Sequence, residues 1–319
     1  MAYPLRLGVI GLGDRWQRRY EPALRALPDR FVVRALCDEV YAQAAEEARK
    51  HHCEAMLGPT ALLEREDIDA LLLADVQWFG LWPVGVACHR RKPVLCCVPL
   101  TQDAAHVEAI QQEVLESGIP VLVEWLPHFT PASTRVRQLL DTEVGPARLV
   151  VATVFRCGWT GSGRRSSASD GVALERFDVA LLDWCARLVG GEPVSVCVSE
   201  TDSGLLSERW EFTNGKAVHL IQQALPRELL RTSVQIVAEK GTARVTLPRL
   251  VRWTAADGNH VHLLRRKRPI GQEVLERFYH AISEVGTTTP TLQDGCRVLR
   301  WLRTAQRSLA EGRPVDVGR

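Results

Sequence analysis

The sequence is poor in lysine and has almost no excess of charge of either sign. Its 40 basic residues include only five lysines, and 38 acidic residues nearly balance the basic total. An even balance leaves no basic field that would attract nucleic acid or an anionic membrane. Because lysines are so few, each candidate for a catalytic lysine can be checked individually. They are Lys50, Lys92, Lys216, Lys240 and Lys267.

Long apolar runs and paired cysteine motifs are also missing. No run reaches the roughly 18 residues that a membrane-spanning helix needs. The nine cysteines include no C-x-x-C pair, and most lie in apolar segments, where a thiol behaves as a small hydrophobic group. We therefore expect reduced, buried thiols in a cytoplasmic protein, with no zinc or other metal site.

The composition that remains is that of a globular chain with two domains. Hydrophobic residues make up 46% and charged residues 24% of the 319 positions. That length exceeds what one ordinary core supports.

Short apolar runs alternate with amphipathic helical segments in the first part of the chain. The runs cover residues 5–10, 31–37, 68–74, 94–98 and 120–124. Continuous apolar strands separated by helices are typical of a parallel sheet covered on both faces. We predict a doubly wound α/β domain of the Rossmann type over residues 1–126.

The second part of the chain shows many strands without helices between them. Strand-like segments separated by turn residues fill the region 194–264, which predicts an α+β domain over residues 127–319 with a largely antiparallel open sheet. An uncovered sheet face or edge favours a homo-oligomer, a dimer or a tetramer. The last helix, 292–311, is a candidate for packing back on the first domain.

The strongest local motif is Gly11-Leu12-Gly13, between the first predicted strand and a helix. Gly11 permits a tight turn, Gly13 lets the backbone approach a pyrophosphate, and the helix N-terminus offers N–H groups to the anion. Asp38, after the second predicted strand, is positioned to accept hydrogen bonds from a ribose diol. The alternative is a Rossmann-like sheet that holds no cofactor.

Two departures from the dinucleotide fingerprint bear on the choice of cofactor. Trp16 stands at the position of the third glycine, and Asp38 follows Gly11 by 27 residues rather than about 20. The Asp38 carboxylate would repel a 2′-phosphate, which favours NAD over NADP. Arg15 and Arg18 lie near enough to oppose that preference.

Several segments, taken in this order, resemble the Gfo/Idh/MocA family of glucose–fructose oxidoreductases and inositol dehydrogenases. They are LGVIGLG (7–13), Cys37-Asp38, DIDALLLA (67–74), RKPVLCCVPL (91–100), GPARL (145–149) and LRWLRTAQRSLAEGRPV (299–315). The resemblance implies a Rossmann domain, a second α+β domain whose open sheet often serves oligomerisation, and hydride transfer between a nicotinamide and a carbohydrate or polyol.

The catalytic residues of that family are not matched. Its Glu-Lys-Pro reads Cys97-Val98-Pro99 here, and its second-domain His-x-x-Asp begins with Ala180 and ends with Asp183. Neither valine nor alanine can transfer a proton. The resemblance leaves Pro99 as a cofactor-binding position and Asp183 as the one retained polar residue of the second motif.

A substitute acid–base pair is His128 with Asp183. His128 follows the fifth strand, near a position where the family often carries a basic residue that contacts substrate. A histidine next to a carboxylate can exchange protons near neutral pH. The other interpretation is a hydrogen-bonded or solvated histidine with no catalytic part.

Tryptophans are concentrated in the segments that the resemblance places around the nicotinamide. They form either ordinary core or an apolar stacking pocket for a flat or hydrophobic ligand. The pocket candidates are Trp78, Trp82, Trp125 and Trp159.

Three functions remain open from the sequence. The first is an NAD(P)-dependent oxidoreductase with altered acid–base residues, acting on a carbohydrate-like or other small hydroxyl or carbonyl substrate. The second is a non-catalytic dinucleotide-binding regulatory or scaffold protein. The third is an NAD-assisted lyase or glycosidase. All three use the Gly11–Gly13 turn, but only the first consumes cofactor stoichiometrically.

Overall fold

A computed structural model describes residues 4–75, 79–157, 174–225, 231–265, 268–283 and 289–318. The strands are β1 (Leu5–Ile10), β2 (Phe31–Cys37), β3 (Glu54–Met56), β4 (Ala70–Leu73), β5 (Val94–Cys96), β6 (Val121–Val123), β7 (Ala147–Cys157), β8 (Pro193–Glu200), β9 (Leu206–Phe212), β10 (Ala217–Leu225), β11 (Arg231–Ala238), β12 (Thr242–Thr246), β13 (Leu250–Ala255), β14 (Gly258–Leu263) and β15 (Val315–Asp316).

The α-helices are α1 (Glu21–Arg25), α2 (Tyr41–His51), α3 (Pro59–Leu63), α4 (Trp82–His89), α5 (Ala104–Ala109), α6 (Gln111–Ser117), α7 (Pro131–Thr142), α8 (Val179–Val189), α9 (Ile270–Ser283) and α10 (Leu292–Glu311). Residues Trp16–Tyr20 form a π-helical turn, and Leu100–Asp103, Leu126–Phe129 and Leu174–Arg176 form 3₁₀ turns. Among the described helices, none is both long and apolar enough to cross a bilayer.

The first sheet is parallel throughout the described residues and has the strand order β3-β2-β1-β4-β5-β6. Every residue of β4, Ala70–Leu73, is buried, as expected for a strand covered on both faces. The order reverses between β1 and β4, so that a crevice opens beyond the carboxyl ends of these two strands. The predicted Rossmann sheet is confirmed.

The second sheet contains nine strands within the described residues, in the order β14-β13-β12-β11-β7-β10-β9-β8-β15. Of its described pairs, β7 with β10 is parallel and the others are antiparallel. This confirms the predicted, largely antiparallel sheet. Val150, Ala152 and Val154 of β7 alternate with less buried residues, which gives the sheet one core-facing side.

The chain divides into two compact units. The first comprises Met1–Trp125 with Lys267–Cys296, and the second comprises Leu126–Arg266 with Arg297–Arg319. The sequence analysis divided the chain differently, into residues 1–126 and 127–319, and that domain division stays a prediction.

The segment after Lys267 joins the first unit because its apolar face packs there. The ring of Tyr279 on α9 contacts that of Phe31 edge to face, with centroids 5.8 Å apart. The N–H of Val123, the last residue of β6, donates to the carbonyl of Pro290 at 2.9 Å. The segment before α10 is thus hydrogen-bonded to the end of β6. Helical periodicity shows that α9 has an apolar face but does not show which surface that face covers.

Candidate functional site

The turn after β1 has the geometry of a dinucleotide turn. Gly11 has a φ of +88°, a left-handed conformation that residues with a side chain rarely adopt. Its N–H donates to the carbonyl of Cys37 at 2.9 Å, which fixes the turn against the end of β2. Helical structure begins at Asp14, directly after Gly13.

Asp38 holds this turn from the side of β2. Its buried carboxylate accepts hydrogen bonds from the N–H of Leu12 at 2.8 Å and from the N–H of Val40 at 3.0 Å. The structure therefore brings together Gly11, Leu12, Gly13 and Asp38, the four residues that the sequence singled out there. Each carboxylate oxygen has a second lone pair, with which it can accept a further hydrogen bond from a ribose hydroxyl.

Asp75 closes the other side of the turn, and sequence analysis missed it. A Cβ on Gly11 would lie 2.6 Å from the Cβ of Asp75, and a Cβ on Gly13 would lie 2.4 Å from its Oδ2. Gly11 is thus required by its positive φ and by the backbone of Asp75, whether or not a pyrophosphate binds, whereas Gly13 is close only to the end of the Asp75 side chain. The available signal was an acidic residue directly after an apolar strand.

The position of the third fingerprint glycine is filled by a buried aromatic residue. Trp16 begins the π-helical turn, and its ring contacts that of His51 edge to face at 5.4 Å. A glycine at this position lets the helix pack closely on the strand, and the large Trp16 side chain fills that space here. The turn and Asp38 fit a dinucleotide, whereas Trp16 and Asp75 are departures from its usual cradle.

A buried polar cluster, which the sequence did not predict, joins the helix after the turn to the ends of β5 and β6. The Glu124 carboxylate accepts from Arg19 and from the Tyr20 hydroxyl, each at 2.5 Å. Cys97 donates to the same hydroxyl at 3.0 Å. Burial raises the pKa of both Tyr20 and Cys97 well above their ordinary values, so both keep their protons near neutral pH.

At the family's lysine motif, neither Val98 nor Pro99 has a group that transfers protons. Val98 is buried, and Pro99 is exposed at the start of the 3₁₀ turn that follows β5. Lys92 cannot replace the lysine because it precedes β5, at the opposite end of the strand, where its Nζ donates to the carbonyl of Arg65 at 2.5 Å.

His128 and Asp183 lie side by side in the second unit. Nε2 of His128 is 3.0 Å from Oδ2 of Asp183, and both side chains are buried. Asp183 also accepts from Arg187 at 2.7 Å and from Arg297 at 2.9 Å. The pairing follows from the fold: the 3₁₀ turn Leu126–Phe129 packs against α8.

The protonation states of this pair follow from burial and charge. Burial lowers the pKa of His128 below its ordinary value and outweighs the opposing effect of Asp183. Burial disfavours the ionised form of Asp183, but the hydrogen bond with His128 and the charge of Arg187 outweigh it and lower the pKa of that carboxyl. Near neutral pH the pair is therefore a carboxylate and a neutral imidazole, with Nε2 of the ring next to the carboxylate.

The four tryptophans of the predicted pocket have different surroundings. Trp82, at the start of α4, is 43% exposed. Trp125 is buried in the first unit, near Gly295, which is the burial of a core residue. Trp78 and Trp159 lie outside the described residues.

The fold and the turn define a Rossmann-type dinucleotide-binding protein with an attached α+β unit. Residues 5–125 match the family model GFO_IDH_MocA, described as the oxidoreductase family with an NAD-binding Rossmann fold. This match confirms the resemblance to the Gfo/Idh/MocA family that was inferred from the motifs.

Relatives with an assigned name match part of the chain. A dTDP-3,4-didehydro-2,6-dideoxy-alpha-D-glucose 3-reductase of Streptomyces antibioticus is 35% identical over 150 residues, which are 46% of this chain and 45% of that protein. The protein of the same name from Streptomyces violaceoruber is 31% identical over 191 residues, 59% of this chain and 55% of the relative. The chain thus spans about half the length of these curated relatives.

Solved structures match nearly the whole chain at low identity. Levoglucosan dehydrogenase in complex with NADH superimposes with a TM-score of 0.83 at 19% identity, covering 99% of this chain and 100% of that one. UDP-N-acetylglucosamine 3-dehydrogenase GnnA from Acidithiobacillus ferrooxidans gives 0.79 at 20% identity, covering 96% and 98%. At such identities the likeness shows a shared fold.

Proposed function

We propose that the protein is an NAD-dependent oxidoreductase that moves a hydride between the nicotinamide and a hydroxyl or carbonyl carbon of a sugar-like substrate. The observation that carries this proposal is the Asp38 carboxylate, held against the N–H of Leu12 in the turn where the strand order reverses. The names of the relatives, reductases and dehydrogenases of sugars, support the substrate class.

Each part of the site has a distinct role in this proposal. Asp38 accepts hydrogen bonds from the adenosine ribose and repels a 2′-phosphate, which favours NAD over NADP. The Gly11–Gly13 backbone and Pro99 contact the cofactor, whose nicotinamide supplies or accepts the hydride. His128, next to Asp183, is the group that exchanges a proton with the reacting oxygen in this proposal. Trp82 is the described tryptophan that is exposed enough to contact a sugar ring.

The first experiment is a fluorescence titration of the full chain with NADH and NADPH. We expect NADH to bind more tightly. If neither nucleotide binds at millimolar concentration, the proposal is wrong. A second experiment supplies NADH deuterated at the nicotinamide C4 together with keto-sugar nucleotides and looks for deuterium in the product.

A non-catalytic dinucleotide-binding protein is the second candidate. It is favoured by buried Val98 at the lysine position and by the burial of both His128 and Asp183. Binding of NADH without deuterium transfer to any tested sugar would support this candidate. Substrate conversion that leaves the total of NADH unchanged would instead indicate the NAD-assisted lyase or glycosidase.

We further propose a homo-oligomer that forms through the outer face of the second sheet. That face carries half-buried Leu149, Val151 and Ile221, and Val237 with 45% of its surface exposed. An apolar sheet face of this kind is stabilised when a second copy covers it. Light scattering at micromolar concentration tests the proposal, and a monomer would contradict it.

A further inference from the structure

Asp75 lies on the phosphate side of the predicted cofactor turn. The N–H of Ala74 donates to the carbonyl of Ile10 at 2.9 Å, so the pairing of β4 with β1 continues to the residue before Asp75. Asp75 therefore stands directly beside Gly11, with its backbone N 2.7 Å from where a Cβ of that glycine would be. Its Oδ2 reaches on to Gly13, to 2.4 Å from the corresponding Cβ position.

The turn thus has a carboxylate on each side. Asp38 approaches from β2 and holds the N–H of Leu12, while Asp75 approaches from β4. Arg15, on the helix that follows the turn, already has other partners: its guanidinium donates to the carbonyl of Ala74 at 2.9 Å, and its Nε lies 3.5 Å from Glu124. The positive charge of Arg15 is therefore already partly compensated by Glu124.

A pyrophosphate at Gly13 would meet the charge of Asp75. An aspartate carboxylate is anionic at neutral pH, and like charges a few ångströms apart at a half-buried site repel strongly. The glycines bring the backbone close to the ligand, but in this chain they bring Asp75 close as well. The approach of the Asp75 carboxylate to Gly13 therefore weakens the binding of an anion there.

We infer that Asp75 lowers the affinity of the protein for NAD(H) by opposing the pyrophosphate at Gly13. This inference rests on the proposed dinucleotide site.

The test is isothermal titration of the full-length protein with NAD⁺, ADP-ribose and adenosine. Asp75→Asn keeps the shape of the side chain and removes its charge. We expect this variant to bind NAD⁺ and ADP-ribose about tenfold or more tightly than the wild type. Adenosine, which has no phosphate, should bind equally to both proteins. Asp29→Asn is the matched control because Asp29 is exposed just before the amino end of β2, at the opposite edge of the sheet.

The outcomes separate this inference from the proposed function. If the wild type binds NAD⁺ and a folded Asp75→Asn binds it no more tightly than Asp29→Asn does, the inference is wrong. If Asp75→Asn binds adenosine more tightly by the same factor as it binds ADP-ribose, repulsion of the phosphates is not the cause, and the inference is also wrong. If neither protein binds any of the three ligands, the proposed function fails and the inference with it. Asp75→Ser, which also removes the charge, gives the same test should the asparagine variant not fold.

Discussion

His128 and Asp183 form a buried pair, with Nε2 of the histidine 3.0 Å from Oδ2 of the aspartate. Arg187 and Arg297 complete the hydrogen bonding of the carboxylate. Within the second unit this cluster connects the 3₁₀ turn Leu126–Phe129, α8 and Arg297 of α10. The geometry serves to orient an imidazole, and the burial means that the same cluster also stabilises the fold.

Replacing Asp183 by asparagine should destabilise the second unit. The substitution keeps the shape but removes the one anion that His128, Arg187 and Arg297 share. Breaking a buried pair from one side costs several kcal/mol. Because both arginines are partly exposed, we expect about 2 kcal/mol, measured as the free energy of unfolding in urea.

The matched control for this prediction is Asp178→Asn on the same helix. Asp178 caps α8 by accepting from the N–H of Leu181 at 3.0 Å, and asparagine caps a helix about as well. An equal loss in both variants would contradict a special role for the Asp183 cluster.

The stability of the protein should fall as the pH decreases from about 6.5, the ordinary pKa of histidine. The pKa of His128 is lowered in the folded state, so the unfolded chain takes up a proton that the folded chain resists. The contribution of His128 to stability is therefore fully present above about pH 6.5 and is lost as the pH falls toward and through the pKa of His128 in the folded state. Asp183, whose pKa is also lowered, contributes above 3.8 and loses its contribution only at lower pH.

Urea unfolding between pH 7.5 and pH 5 checks this dependence, with His128→Gln as the comparison. The pKa values of His51 and His219 are lowered as well, so the slope should become shallower in the variant without vanishing. Identical slopes would show that His128 is not a source of the pH dependence.

Asp38→Arg should reverse the preference for NADH over NADPH. The arginine removes the repulsion of the 2′-phosphate and adds an attraction. It also removes the acceptor for the N–H groups of Leu12 and Val40, so we expect weaker NADH binding together with the reversal. Competitive titration measures both, and Glu39→Arg, at the exposed neighbouring position, controls for a general gain of positive charge.

The double change Val98→Lys with Ala180→His tests whether the scaffold still supports the usual chemistry of the family. Each acid–base group typically contributes about 10²–10⁴-fold, so the wild type should oxidise simple polyols very slowly, and the double variant should gain NAD-dependent turnover. Because Val98 is buried, the melting temperature and NADH affinity of the variant are measured alongside. Fast oxidation of glucose or inositol by the wild type would contradict this prediction.

Val237→Lys should shift the oligomer toward monomer if the outer face of the second sheet is the interface. Placing a charge on that face costs desolvation when a second copy covers it. Leu57→Lys is the control because Leu57 is highly exposed in the first unit. Sedimentation velocity compares the two, and an equal distribution of species in both variants would rule out this face.

The elements that were predictable from the sequence are those whose pattern reflects burial on both faces. The apolar runs at β1, β2, β4 and β5 belong to strands in the interior of the parallel sheet, and β6, at its edge, is nevertheless buried along its length. β3 was not predicted, since Glu54–Met56 is three residues long and lies at an edge where its side chains stay partly exposed. An edge strand of this length has no apolar run to mark it.

The candidate site shows the same division. Gly11, Gly13 and Asp38 were predictable because a turn, a close backbone approach and an acid after β2 have local signatures. The contact of Asp75 with both glycines and the hydrogen bonds of Glu124 with Arg19 and Tyr20 depend on residues far apart in the chain, which no spacing rule relates.

The sequence by itself determined the strand and helix pattern, the Rossmann class and the location of the nucleotide turn, because these depend on local propensity and on the periodicity of burial. Only the tertiary structure decided that α9 completes the first unit, that His128 lies against Asp183, and that the side chain of Asp75 borders the Gly11–Gly13 turn. The physical reason is that packing and electrostatics act between side chains brought together by the chain's long-range folding.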